Sequence, residues 1–307
     1  MSEIINDINL PKPIYDAMCL NKYDPGKTDY SASSITLGPK EYWGKKRNKD
    51  FPLNAGNLWA SFTGILMHSG LEVLLEKYEG EGTYMLEHHV EVWHNDLSSL
   101  KLDGDRIVGG TVDGLYINGS SVVLFDYKTM STASIIDEKK INEWTEKANF
   151  YRWILKSEGI DVSRMVYLPM FKDWTLSKAM RSKDVNDIPC PKVELEIWST
   201  EKIEQWVFDK ISYIEQYKDT PLEDIPYCNS EQRWEGKKLY KVGKLDKDGK
   251  VKRALPKSSF ETPEEAYEKL STLDSTLYGI KVDGGIPKKC KDWCILSKNG
   301  LCDFNDK

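Results

Sequence analysis

Residues 109–131 read GGTVDGLYINGSSVVLFDYKTMS. Two runs rich in β-branched and aromatic residues flank Asn118-Gly119, a strong hairpin signal, so the stretch predicts two neighbouring strands. Side chains alternate faces along a strand. Val123, Phe125 and Tyr127 therefore share one face and Leu124, Asp126 and Lys128 the other, with the Cα atoms of Asp126 and Lys128 about 7 Å apart. Across the hairpin, Asp113 can bring a second carboxylate to the same face. Carboxylate oxygens suit Mg²⁺ or Mn²⁺, ions that keep several waters and bind phosphates. A lysine beside them can orient water or stabilise charge building on phosphorus. For Asp126 and Lys128 taken alone, a cross-strand salt bridge on a solvated face is the more common arrangement; it is their company along the chain that points to a metal site.

Outward from the hairpin, the pattern is a mixed α/β core. Upstream, LWASFTGILMHSGLEVLLEKYEG (58–80) carries apolar residues at helical spacing and predicts a helix, with His68 inside it, ending at Gly80. YMLEHHVEVWHN (84–95) reads as the first of three consecutive strands. His88, His89 and His94 read as ordinary strand or loop residues. Glu87 and Glu91 read as sheet-surface groups, either of which can support a metal through water. Downstream come a helix over 137–159, strands over 164–174 and 192–198, and a helix from Ser199 to about Tyr217. The order of helix, three-stranded meander, helix and strand implies a mixed sheet flanked by helices.

The 307 residues are 40% hydrophobic and 30% charged, which suits a folded chain with a large core. No apolar run in the sequence approaches the roughly 20 residues of a membrane span, and the start, MSEIINDINLPKPIYDAMC, lacks a secretory layout. The expectation is a cytoplasmic chain with no membrane association. Net charge is −6, but between Lys237 and Lys257 nine Lys/Arg face only Asp246 and Asp248, a local +7. That segment predicts a hairpin turning at Asp248-Gly249, which is either a solvated Lys-rich surface or a contact for a phosphate backbone. A second basic run covers Lys45–Lys49. Trp43, Trp59, Trp174 and Trp234 are candidates for stacking on single-strand bases or for the core. The SASSITLGPKEYW stretch offers a serine N-cap for a short helix or turn. The expected organisation is an irregular N-terminal arm over 1–30, a core over 31–220, and a basic hairpin with a cysteine region over 221–307.

Six cysteines in a cytosolic chain are thiols or metal ligands rather than disulfides. Cys19 and Cys190 are isolated, whereas Cys228, Cys290, Cys294 and Cys302 fall in the last eighty residues. Four thiolates suit an iron–sulfur cluster or tetrahedral zinc. The Lys/Asp/Gly-rich setting of the last three is unlike that of free structural cysteines.

GILMHSGLE, GGTVDGLY, FDYKTMS and KANFYRWIL, in that order, resemble the motifs of the PD-(D/E)XK nucleases, in the RecB-like branch of phage exonucleases and CRISPR-adaptation nucleases. YSASSITLGPKEYWGKKR, FKDW, PYCNSEQRW and the cysteine-bearing tail are also similar to phage members, so the resemblance covers roughly residues 29–303. It implies a restriction-endonuclease-like α/β core with a small C-terminal cysteine-cluster region. It implies metal ligation by His68, Asp113, Asp126 and the carbonyl of Tyr127, and catalytic roles for Asp113, Asp126, Lys128 and Tyr151. The family's glutamine position is Lys147 here, a departure. Its four cysteines hold a 4Fe–4S cluster, with zinc as the alternative; Cys228 stands in for a first cysteine that relatives carry near the N-terminus, beside Cys290, Cys294 and Cys302.

The function implied is that of a Mg²⁺- or Mn²⁺-dependent DNA exonuclease in phage-type recombination or end processing, working in the host cytoplasm if phage-encoded. DNA is then the partner, a phage single-strand annealing protein a second one, and an oligomer is left open. A nuclease-fold DNA-binding scaffold and a structure-specific endonuclease are the alternatives.

Overall fold

The computed structural model describes residues 3–20, 28–48, 51–93, 106–134, 136–181 and 188–304. The chain divides into two compact units, one of residues 1–37 and 50–218, the other of residues 38–49 and 219–307.

The first unit is built on a six-stranded mixed sheet. Its labelled elements are β1 (Tyr30–Ser31), α1 (Ala55–Leu75), β2 (Thr83–Trp93), β3 (Ile107–Asn118), β4 (Ser121–Met130), α2 (Glu138–Leu155), β5 (Arg164–Phe171), β6 (Val193–Glu194) and α3 (Thr200–Glu215). β2, β3 and β4 form the expected antiparallel meander, and β5 runs parallel to β4. The hairpin turn lies one residue beyond its Asn-Gly signal. Asn118 pairs with Ser121, so Gly119 and Ser120 make the turn, with Gly119 at φ 59°, where a II′ turn places glycine.

Helices cover both faces because the strands are apolar on both. His68 of α1 meets the ring of Tyr127 on one face, and Trp144 of α2 stacks on Tyr167 on the other. Asp137 caps α2 through the Lys140 N–H and Ser199 caps α3 through the Lys202 N–H. Ile203, Val207, Ile211 and Ile214 recur at helical spacing and form the buried stripe of α3. Of the strand expected over 192–198, only Val193–Glu194 pairs with its neighbour.

Three local expectations are corrected. The N-terminal arm is not irregular throughout: Lys12–Leu20 is a helix whose Met18 packs with Ala55 and Phe62, and Ile4–Ile5 pairs with Leu53–Asn54. The serines of SASSIT close a turn, Ser31 with Ser34, and the helix that follows is capped by Gly38 with a proline in its first turn. And α1, despite the polar residues scattered along it, is by length and composition apolar enough to cross a membrane, with a mean hydropathy of 1.3. His68 and Glu72 lie within it, and Leu66 and Leu74 are exposed.

Gly109 sits where β1, β2 and β3 crowd together. A Cβ there would lie 2.4 Å from the backbone oxygen of Val90, an obstacle no rotamer change removes. Gly109→Ala is expected to destabilise this unit by about 3 kcal/mol, read as a lowered urea midpoint. An unchanged midpoint would show that the strands separate easily at this point.

The second unit holds the helix Pro39–Arg47 and an antiparallel three-stranded sheet of Leu239–Leu245, flanked by Val251–Phe260 and Tyr278–Asp283. The basic hairpin turns as expected, with Gly249 at φ 71°. Thr262 caps the helix Pro263–Ser271 by accepting the Glu265 N–H. Buried Glu41 pairs with Lys45 and Lys289, and buried Lys40 donates to the carbonyls of Glu223 and Ile225, tying residues 38–49 to the chain's last third. The basic run is accordingly spent on structure: Lys46 lies against the rings of Tyr42 and Trp43, and Arg47 donates to the Thr220 carbonyl. Lys49 lies outside the described residues. Trp43 is buried, whereas Trp234 is exposed.

Candidate active site

The centre forms where β3 and β4 stop pairing. The two strands pair from the turn as far as Gly114 and Phe125. Beyond that point β3 pairs instead with β1, at Val108 and Gly109. In the interval Asp113 Oδ2 accepts the Tyr127 N–H at 2.9 Å, so a side chain completes a ladder that the backbone leaves open. In an extended strand the N–H and C=O of one residue point to the same edge. The Tyr127 carbonyl therefore also faces the gap that holds Asp113.

Three ligand atoms gather at the gap. Those of His68, Glu87 and Asp113 lie within 4.8 Å of one another. His68 Nδ1 is 3.8 Å from Glu87 Oε1 and 4.0 Å from Asp113 Oδ1. Among the described residues no other group of three or more His, Cys, Asp or Glu is so close. Glu87 belongs to the centre because β2 pairs Leu86 with Gly114 and His88 with Val112, placing it opposite Asp113. It also adopts φ 45°, a left-handed conformation uncommon outside glycine and concentrated at functional sites. Sequence reading left Glu87 as a surface or water-bridged group. The signal that finds it is the register of the first strand against the second.

Asp126 stands on the other side of the sheet. Its side chain is buried, and Oδ1 accepts from Lys147 Nζ of α2 at 2.7 Å. Tyr167, its partner in the parallel register, also hydrogen-bonds to it. The Lys147 ammonium lies 5.4 Å from the ring centroid of Tyr151, which is buried over Gly110. Lys128 shares the face of Asp126, as alternation requires, and its side chain reaches solvent. His68 approaches from the Tyr127 face, its ring 4.5 Å from that tyrosine's. The four groups singled out in the sequence thus meet from two faces, with Asp113 in the plane between, rather than lining one face.

The electrostatics follow from this crowding. Burial, reinforced by the charge of Asp126, pushes the Asp113 carboxyl up to about 7. Burial alone would lower the His68 pKa, but Glu87 and Asp113 outweigh it and hold the imidazole above its ordinary value. Burial would likewise depress Lys147, yet Asp126 keeps it well above its usual range. Lys128 is lowered, by its crowded surroundings and then by the Lys147 ammonium. Glu87 and Asp113 carboxylates held at short range are a costly arrangement, which a hard divalent ion would relieve. The oxygen-rich donor set, with one imidazole and a carbonyl facing the gap, fits Mg²⁺ or Mn²⁺.

The remaining histidines have other duties. His88 pairs with Glu158 at 2.6 Å and His89 with Glu91 at 3.1 Å; His94 lies outside the described residues. In the second unit Cys290 and Cys294 are buried and Cys228 and Cys302 half-buried, while Cys19 and Cys190 are exposed. Burial, reinforced by the Glu41 carboxylate and less strongly by Cys294 and Cys290, pushes the Cys228 thiol up to about 12. Cys290 is raised to about 11 by burial and by Cys294 and Cys302. Cys290 thus lies within electrostatic reach of the other three sulfurs. Gly38 backs the first of them closely, since a Cβ there would be 3.0 Å from Cys228 Sγ.

No protein-family model and no curated protein matches the chain. Among solved structures it is similar to a protein designated SSO0001, at 11% identity over 68% of this chain and 86% of that one, with a TM-score of 0.43. It is also similar to an alkaline exonuclease, LHK-Exo, from Laribacter hongkongensis, at 12% identity over 67% of this chain and 93% of that one, with a TM-score of 0.37. The same exonuclease in complex with dAMP aligns at 13% identity over 61% and 88% of the two chains, with a TM-score of 0.34. Likenesses this distant assign neither family nor activity.

Proposed function

We propose that the chain is a divalent-metal-dependent nuclease of the PD-(D/E)XK, RecB-like kind that hydrolyses DNA phosphodiester bonds from ends. One observation carries the reading: Asp113, at the point where two strands part, is bracketed by His68 and Glu87 within 4.8 Å. His68, Glu87, Asp113 and the Tyr127 carbonyl would hold Mg²⁺ or Mn²⁺, with Asp126 behind them. The ion, when bound, polarises the phosphoryl oxygen and lowers the pKa of a bound water. Glu87 and Asp113 fix its position through opposite strands, and His68 closes the site from α1. Lys128 Nζ, whose pKa is lowered by its crowded surroundings and the Lys147 ammonium, is suited to orient the attacking water and to stabilise charge on the phosphate. Tyr151, buried on α2, supports Lys147. The Lys237–Lys257 hairpin offers its own unit a surface for phosphates, and the four cysteines are suited to an iron–sulfur cluster or zinc that holds that unit together. A role in phage-type recombination, with a single-strand annealing protein as partner, remains part of this reading.

End-labelled linear and closed circular DNA, incubated with Mg²⁺, Mn²⁺ or chelator, test it. Expected is metal-dependent cleavage of the linear substrate alone. Cutting of circles would identify an endonuclease instead. Binding without cleavage under every metal condition would leave only a scaffold, and cleavage that survives the chelator would remove the metal from the reading.

A further inference from the structure

Lys147 is given no chemical step in the function proposed above. Its ammonium lies 2.7 Å from Asp126 Oδ1, in hydrogen-bond contact with a carboxylate that would otherwise be free to bind metal. Asp126 is accordingly outside the group whose ligand atoms converge within 4.8 Å. Asp126, Lys147, Tyr151 and Tyr167 border a cavity of about 10 Å³, which at most admits a single water and leaves no room for a hydrated cation. The charges agree. Three carboxylates and one ammonium leave two negative charges, which one divalent ion neutralises.

We infer that Lys147 is a built-in cation standing in for a second metal ion, so that this centre binds one divalent ion, at His68, Glu87 and Asp113, rather than the pair found in many phosphodiesterases. The inference rests on the metal-dependent reading above and refines it. An ammonium from α2 is a fixed charge that needs no recruitment from solution, but it cannot coordinate an oxygen as a Lewis acid does. Lys147 therefore supplies charge beside Asp126, while the single ion is left to orient both water and phosphate.

Manganese titration of the full chain without DNA, followed by electron paramagnetic resonance, counts the ions directly. One Mn²⁺ per chain is expected in the wild type, and two in Lys147→Gln and in Lys147→Met. The added ion should disappear when Asp126→Asn is combined with either variant. Two ions in the wild type, or one in the wild type and in both variants, would overturn the inference while leaving the metal centre in place. No ion in the wild type would overturn the nuclease reading and this inference with it. The wild-type count decides between these cases even if one variant fails to fold.

Discussion

Asp113→Asn is expected to abolish the proposed DNA cleavage and at the same time to raise the melting temperature of the metal-free chain above pH 7. If Asp113 is the central ligand, its loss should remove several kcal/mol of charge stabilisation that the ion would supply, a fall in rate of at least about 10³-fold. The stability gain follows from the raised pKa. In the fold the Asp113 carboxyl titrates near 7, against 3.8 for the unperturbed group. An acid raised in this way favours the folded state only while protonated, so its contribution is intact below the unfolded value and lost as pH climbs through 7. Asparagine mimics the protonated form and can still accept the Tyr127 N–H through its side-chain oxygen. The variant should therefore exceed the wild type by a few kcal/mol at pH 8, or several degrees in Tm, and the gap should close as pH falls toward 4. Adding Mg²⁺ should raise the wild-type Tm and leave the variant's unchanged. Scanning calorimetry at pH 4, 6 and 8 measures this. A variant that cleaves normally, or whose Tm offset ignores pH, would show that Asp113 does not carry the strain of the centre.

A second large effect is expected in the other unit. If the four cysteines hold a cluster or zinc, Cys290→Ser should strip the metal and unfold residues 38–49 and 219–307 while residues 1–37 and 50–218 stay folded. Structural metal sites contribute on the order of 10 kcal/mol to small units, more than the modest apolar core around Val242, Ala266 and Leu296 can replace. Anaerobically purified wild type is expected to contain iron and a broad visible absorbance, or zinc without colour. Hydrogen exchange should then show protection lost in the second unit only. A metal-free wild type whose exchange pattern matches that of Cys290→Ser would discard the cluster. The raised thiol pKa values add a check, because without metal these buried cysteines should react slowly with alkylating agents at neutral pH.

Much of this was legible in linear order. The alternation of VVLFDYK correctly divides Tyr127 from Asp126 and Lys128, because a strand has a strict period of two and its neighbours on the two faces differ. The starts of α2 and α3 are local as well, since the Asp137 and Ser199 side chains satisfy backbone donors three residues on. The basic hairpin and the Thr262 cap were equally local. Each of these depends on contacts a few residues long, and such contacts are written in consecutive letters.

What depended on distance along the chain was not visible. Glu87 looked like one acidic strand residue among several until the register of β2 on β3 set it opposite Asp113, and its positive φ has no signature in a glutamate. Lys147 was recognisable as an unusual residue at its position, but its contact with Asp126, 21 residues earlier, exists only once α2 crosses the sheet. Glu41 and Lys289, 248 positions apart, assign residues 38–49 to the far end of the chain. Local periodicity and capping chose the helices, the strands and the face each side chain takes. Only packing chose which faces meet, since pairings between remote segments are decided by burial and charge in three dimensions, and neither has a period to read.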